Sequence, residues 1–179
     1  EIDSGRVRWS VDLDLPVEIV GVHALEGAEK YAAERGIRVF DRLDAMLDEV
    51  DVIHCCTTAS SHEEVAVAAL KRDKFAIVEK PLTGYFGDGS EGFRGDEFPK
   101  AQALEHALAS VQRMLDAEAG SKGRILYAEN WVYAPAIQKE REIIEKTGAQ
   151  ILFIHGEEAH SGSHARTYAY WKFSGGGVM

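Results

Sequence analysis

Two short groups of residues carry the chemistry this chain could do. Glu79-Lys80-Pro81 closes one apolar run, and Cys56-Thr57-Thr58, followed by His62, closes an earlier one. A lysine ammonium at a strand end can polarise a substrate hydroxyl or carbonyl and stabilise charge that develops on oxygen. The two threonine hydroxyls can hydrogen-bond a ribose or a phosphate, or simply end a strand. Glu79 can orient the lysine or act as a paired polar residue at a sheet edge.

The elements that must position these residues can be read from the same stretch, 51–83. Asp51 to Cys56 is a short apolar run, the pattern of a strand buried on both faces. Ser61 with Glu64 has the spacing of a capping box. Val65, Ala66, Ala69 and Leu70 then make an apolar helical face, with Lys71 and Arg72 in the last turn, where positive charge suits the helix dipole. Phe75 to Val78 is a second strand with the same double burial, and Pro81, which has no N–H for a ladder, stops it. A strand–helix–strand unit makes two parallel strands joined by a right-handed crossover. Both strands then end on one edge, the edge at which open α/β sheets bind ligands. Lys80 is therefore the expected catalytic residue.

This stretch resembles the Gfo/Idh/MocA family of NAD(P)-dependent oxidoreductases. That family carries a C-T-P-N-x-x-H segment and an E-K-P segment separated by one helix. Here the first reads Cys56-Thr57-Thr58-Ala59-Ser60-Ser61-His62, with Thr58 in place of proline and Ala59 in place of asparagine; the second, Glu79-Lys80-Pro81, matches fully. The resemblance implies that Lys80 contacts the reacting hydroxyl and that a cis bond precedes Pro81. It further implies that Thr57, Thr58, His62, Glu79 and Pro81 serve the cofactor, NAD or NADP. His62 reads equally as an ordinary residue of the first helical turn.

Composition sets outer limits. The chain has 179 residues, enough for one full core or slightly more. A net charge of −10 argues against a nucleic-acid partner. No apolar run reaches the roughly 20 residues that span a bilayer, so no membrane partner is expected. The only cysteines are the neighbours Cys55 and Cys56, which points to a reducing, cytoplasmic setting rather than a disulfide framework.

Before Asp51 the pattern is less complete. A dinucleotide fold should open with a strand and a Gly-rich turn that holds the pyrophosphate. Gly21 and Gly27 have the wrong spacing for it, and the chain reads as a fragment. Arg6 to Val11 and Val17 to Val22 compete as the second strand of the nucleotide fold. The first is preferred because it ends near Asp12, an acid that can accept hydrogen bonds from ribose hydroxyls. Glu26 to Arg35 reads as a helix stopped by Gly36, Ile37 to Phe40 as a strand, and Asp41 as the cap of a helix with Leu43, Met46, Leu47 and Val50 inside.

After Pro81, residues 83–99 carry five glycines and read as a long insertion. Tyr85, Phe86, Phe93 and Arg94 could reach over the cleft as a lid, or pin a surface excursion. Lys100 to Glu118 is an amphipathic helix with Leu104, Leu108, Val111 and Leu115 expected inside. Arg124 to Asn130 is a strand, Ala136 to Lys146 a helix, and Gln150 to Glu158 a further strand. His155, His160 and His164 with Glu157 and Glu158 invite a metal, but Ser161-Gly162-Ser163 argues against the helix that such spacing needs, and no metal is expected. The resemblance instead makes His160, His164 and Trp171 substrate contacts, and expects a D-x-x-x-H pair after Trp171 and Gly175-Gly176-Gly177; no such pair occurs up to Met179.

The expected architecture is α/β: a doubly wound, Rossmann-like nucleotide domain over 1–130, then the start of an α+β domain over 131–179. The activity implied is hydride transfer between a nicotinamide and a hydroxyl carbon of a sugar or polyol, in a homo-oligomer, a dimer or tetramer. An NAD-dependent glycoside hydrolase of the same family and a non-catalytic nucleotide- or sugar-binding protein remain open.

Overall fold

A computed structural model describes residues 17–24, 27–157 and 170–176, together with the backbone of 2–3 and 6–7. Its centre is a three-stranded parallel sheet in the order β5 (Val52–Cys55), β6 (Phe75–Glu79), β7 (Ile125–Ala128). The register aligns Cys55 with Val78 and Val78 with Tyr127, so all three strands leave the sheet at the same edge. Two more strands, β3 (Gly21–Val22) and β4 (Arg38–Val39), form a second parallel pair. Between them α1 (Ala28–Arg35) ends at Gly36, which takes the left-handed conformation that a side chain resists. The short strands β1 (Ile2–Asp3) and β2 (Arg6–Val7) pair antiparallel. Parallel strands joined through helices confirm the α/β class.

The preferred second strand is corrected by this arrangement. Gly21–Val22, not the run from Arg6, carries the parallel pairing with β4, while Arg6–Val7 pairs antiparallel with Ile2–Asp3. Asp12 lies outside the described residues.

The sheet's helices are α2 (Leu43–Leu47), α3 (His62–Leu70) and α4 (Lys100–Ala119). They cover one face. On it Ile53, Cys55, Ala76 and Val78 are buried with Met46, Leu47, Ala66, Ala69, Leu70 and Met114. Each large apolar side chain removed from water there is worth about 1.5–3 kcal/mol. The other face is different: Val52, Phe75 and Leu126 stay exposed. The expected burial of β5 and β6 on both faces is therefore not seen among the described residues; the burial alternates, as period-2 geometry dictates when one face is covered.

Helix α4 corrects another expectation. Its buried positions are Ser110 and Met114, whereas Leu104, Leu108 and Leu115 are exposed. The helix turns Ser110 and Met114 inward, and Met114 packs in the core where Ala66 and Ala69 of α3 are also buried, small side chains that leave room for it. Arg113 joins the two helices by a two-pronged ion pair with Glu63, at 2.5 and 2.8 Å.

Capping also departs from the pattern. Ser61 does not cap α3: a 3-10 turn, Ala59–Ser61, precedes the helix, and the Ser61 hydroxyl donates back to the Thr58 carbonyl at 2.9 Å. Asp41 does not cap α2, whose N-terminal neighbour is Arg42 in extended conformation. Beyond β7, a 3-10 turn (Asn130–Tyr133) leads to α5 (Pro135–Thr147), which ends at Gly148. Residues 150–157 form no strand, and Ile151, Leu152, Phe153 and Ile154 are exposed. A strand requires a ladder partner, and none stands beside this apolar run among the described residues. A last short helix, α6, spans Trp171–Ser174.

Candidate functional site

Because β5 and β6 are parallel and in register, Cys56-Thr57-Thr58 and Glu79-Lys80-Pro81 emerge side by side. The two loops are tied by His62, the first residue of α3. Its ring is 1% exposed; Nδ1 lies 2.9 Å from the Pro81 carbonyl oxygen and Nε2 lies 3.2 Å from the Thr57 carbonyl oxygen. Both ring nitrogens thus face backbone carbonyls, one from each strand end. His62 binds the two loops to each other.

The Lys80–Pro81 peptide is cis, as the resemblance implies. Lys80 is exposed and forms no ion pair among the described residues. Glu79 is half-buried, and its Oε1 lies 3.9 Å from His54 Nε2. The hydroxyls of the first loop form a local chain. Thr57 Oγ1 is 2.6 Å from Ser61 Oγ and 3.2 Å from Cys55 Sγ; Thr58 Oγ1 is 3.2 Å from Ser60 Oγ. Since the Ser61 hydroxyl donates to the Thr58 carbonyl, Thr57 donates to Ser61. The rim accordingly offers one cation, one carboxylate and several exposed hydroxyls, a donor and acceptor set suited to a polyhydroxylated guest.

Tyr127 escaped the sequence reading, and Cys56 entered it only as the start of the matched segment. Cys56 is exposed just beyond β5, and its thiol is pushed up by burial, then by the Glu79 carboxylate and the neighbouring Cys55. Tyr127, in register with Val78, has its phenol pushed up by burial and by the charges of Glu129 and Glu79. The register sets Glu79 opposite Ala128 at the end of β7 and one residue beyond the Cys55–Val78 pair of β5 and β6. The signal that could have found Tyr127 was the register of a third parallel strand, which no local pattern supplies.

Trp171 is brought to this same rim. Helix α6 packs on the Ala59–Ser61 turn, and Trp171 Nε1–H donates to the Tyr85 carbonyl at 2.9 Å. His160 and His164, like Asp12, lie outside the described residues. No group of His, Cys, Asp and Glu among the described residues is arranged to hold a metal.

Residues 12–94 match the model of a family described as the oxidoreductase family with NAD-binding Rossmann fold, Gfo/Idh/MocA. Inositol 2-dehydrogenase 2 of Mycolicibacterium vanbaalenii is 43% identical over 70 residues, 37% of this chain and 20% of that protein. UDP-N-acetylglucosamine 3-dehydrogenase of Acidithiobacillus ferrooxidans is 40% identical over 58 residues, 32% of this chain and 18% of that protein. Among solved structures, a probable dehydrogenase from Thermotoga maritima superposes with a TM-score of 0.56 at 16% identity, covering 72% of this chain and 34% of its own. That likeness is one of fold. The chain spans about a third or less of the length of these relatives.

The residues present fit one side of a dinucleotide site. The exposed Thr57 and the half-buried Thr58 stand where the β5 loop meets the E-K-P loop. A Gly-rich pyrophosphate turn is not among the described residues.

Proposed function

We propose that this chain belongs to an NAD(P)-dependent oxidoreductase that moves a hydride between the nicotinamide and a hydroxyl-bearing carbon of a sugar or polyol. The observation that carries the reading is the parallel register of β5 and β6, which sets Lys80 beside Thr57 and Thr58 at one carboxyl edge. The relatives named as inositol and UDP-N-acetylglucosamine dehydrogenases support the substrate class.

When bound, the nicotinamide supplies the hydride chemistry. The chain's own residues position and polarise. The Lys80 ammonium steadies negative charge that builds on the substrate oxygen as its proton leaves. Thr57 and Thr58 hold ribose hydroxyls through their side-chain oxygens, with Glu79 and Pro81 shaping the loop beside them. His62 supports both loops from beneath. His160 and His164 are proposed to contact the substrate, and Asp12 the adenosine ribose. The working form is proposed to be a cytoplasmic homo-oligomer; no described helix is long and apolar enough to cross a membrane.

Titrating NADH and NADPH into the protein, followed by nicotinamide fluorescence, tests the cofactor assignment directly. Saturable binding of at least one supports it, and binding of neither removes it. Turnover on a panel of polyols and nucleotide sugars then separates a dehydrogenase from the second reading, a non-catalytic sugar or nucleotide sensor. That second reading draws on the altered loop, in which Thr58 is tied to Ser60 and Ala59 is buried. Tight dinucleotide binding with no turnover on any member of the panel would favour it.

A further inference from the structure

The glycine-rich stretch between Pro81 and α4 is packed against the body of the protein. Thr83 Oγ1 lies 2.7 Å from the hydroxyl of Ser110, which is buried on α4. The Tyr85 ring stacks on His106 of the same helix, with centroids 4.5 Å apart and planes 15° from parallel. Phe93 stands edge-on to Tyr85 at 5.5 Å and Phe98 at 4.9 Å. Arg94 pairs with Asp96 and Glu97 inside the insertion.

The half-buried Trp171 packs against this cluster. Gly95 is buried, and a Cβ built there would stand well inside 3.0 Å of the indole Cδ2 and Cε2. A Cβ at Gly176 would likewise overlap the ring's outer edge. The indole is therefore held between two glycine backbones, and its single polar atom is spent on the Tyr85 carbonyl. Glycine is required at position 95 by proximity: no other residue lets the backbone approach the ring so closely.

We propose that residues 83–99 are a socket for Trp171, and that Trp171 is a positioning residue. Seated there, it holds α6 against the Ala59–Ser61 turn and so fixes the loop that carries Thr57 and Thr58. Its hydrogen-bonding capacity faces the insertion, so it acts on the rim through α6 rather than by touching substrate. This goes beyond the oxidoreductase reading, resting on it only for the identity of what the rim binds.

The test uses the full chain with Trp9 and Trp131 replaced by Phe, leaving Trp171 as the sole indole. Gly95→Ala should expel the ring. Acrylamide quenching of Trp171 should rise about twofold or more, and amide exchange should quicken in two segments far apart in sequence, 83–95 and 57–61, while 62–79 keeps its protection. Trp171→Ala, which removes the ring without crowding, should quicken the same two segments. Unchanged quenching in Gly95→Ala refutes the socket, and exchange at 57–61 that stays unchanged in Trp171→Ala refutes the positioning role. Neither readout involves a dinucleotide, so the socket and the cofactor assignment can fail separately.

Discussion

Replacing His62 is the most informative single perturbation of the rim. The ring is 1% exposed and touches both strand-end loops through carbonyl oxygens, 2.9 Å away at Pro81 and 3.2 Å away at Thr57. His62→Leu keeps much of the volume and removes the ring N–H, which in a neutral imidazole donates to one of the two carbonyls. Losing that bond and leaving a buried carbonyl oxygen unpaired costs about 1–3 kcal/mol, so about 2 kcal/mol of stability should go. His62→Ala also leaves a cavity where the ring was, adding about 1–2 kcal/mol more. With a urea slope of about 2 kcal/mol/M, the Leu variant should unfold about 1 M earlier, with little change in slope. Equilibrium urea unfolding followed by far-UV circular dichroism measures this. A midpoint within about 0.3 M of the wild type would show that His62 does not bind the two loops together, since the lost bond would then be worth almost nothing.

Two further outcomes rest on charge. Arg113, hydrogen-bonded to Glu63, holds that carboxyl below its usual range. A depressed folded pKa means the stabilisation is complete above the unfolded value and is lost as pH falls through the folded one. The stability gap between wild type and Glu63→Gln should therefore be full at pH 7 and shrink as pH falls below about 4; a gap that is the same at pH 3 as at pH 7 would contradict the pairing. The raised thiol of Cys56, caused first by burial and then by Glu79, should make its alkylation by iodoacetamide at pH 8 slower than that of a free cysteine peptide. Glu79→Gln should speed it, and an unchanged rate would remove Glu79 from that environment.

The parts of this protein written locally were legible; the parts set by distant neighbours were not. The strand–helix–strand unit and the cis Lys80–Pro81 peptide followed from apolar periodicity and the matched E-K-P segment. Glycines stopped α1 and α5 as expected, because a left-handed residue is a local requirement. The inward face of α4 departs from the hydropathy pattern, in which three leucines outweigh a serine, because Ser110 and Met114 are the positions that meet the core beside the alanines of α3. Ser61 was read as a cap, but the preceding residues tighten into a 3-10 turn and offer the Thr58 carbonyl first. Residues 150–157 have strand composition, and composition does not supply a pairing partner. His62 lay in the matched motif, while its double attachment depends on where Pro81 falls in space. The seat for Trp171 joins residues far apart in the chain, and neither Gly95 nor Tyr85 announces it.

The central claim is that Lys80, at the shared carboxyl edge of β5 and β6, stabilises charge on the reacting oxygen. Steady-state turnover of Lys80→Ala in the full-length gene product, on whichever polyol or nucleotide sugar the wild type oxidises, tests it most directly. The account predicts a fall in kcat of about 10²–10³ with NADH affinity and urea midpoint unchanged. A kcat within about threefold of wild type would contradict it.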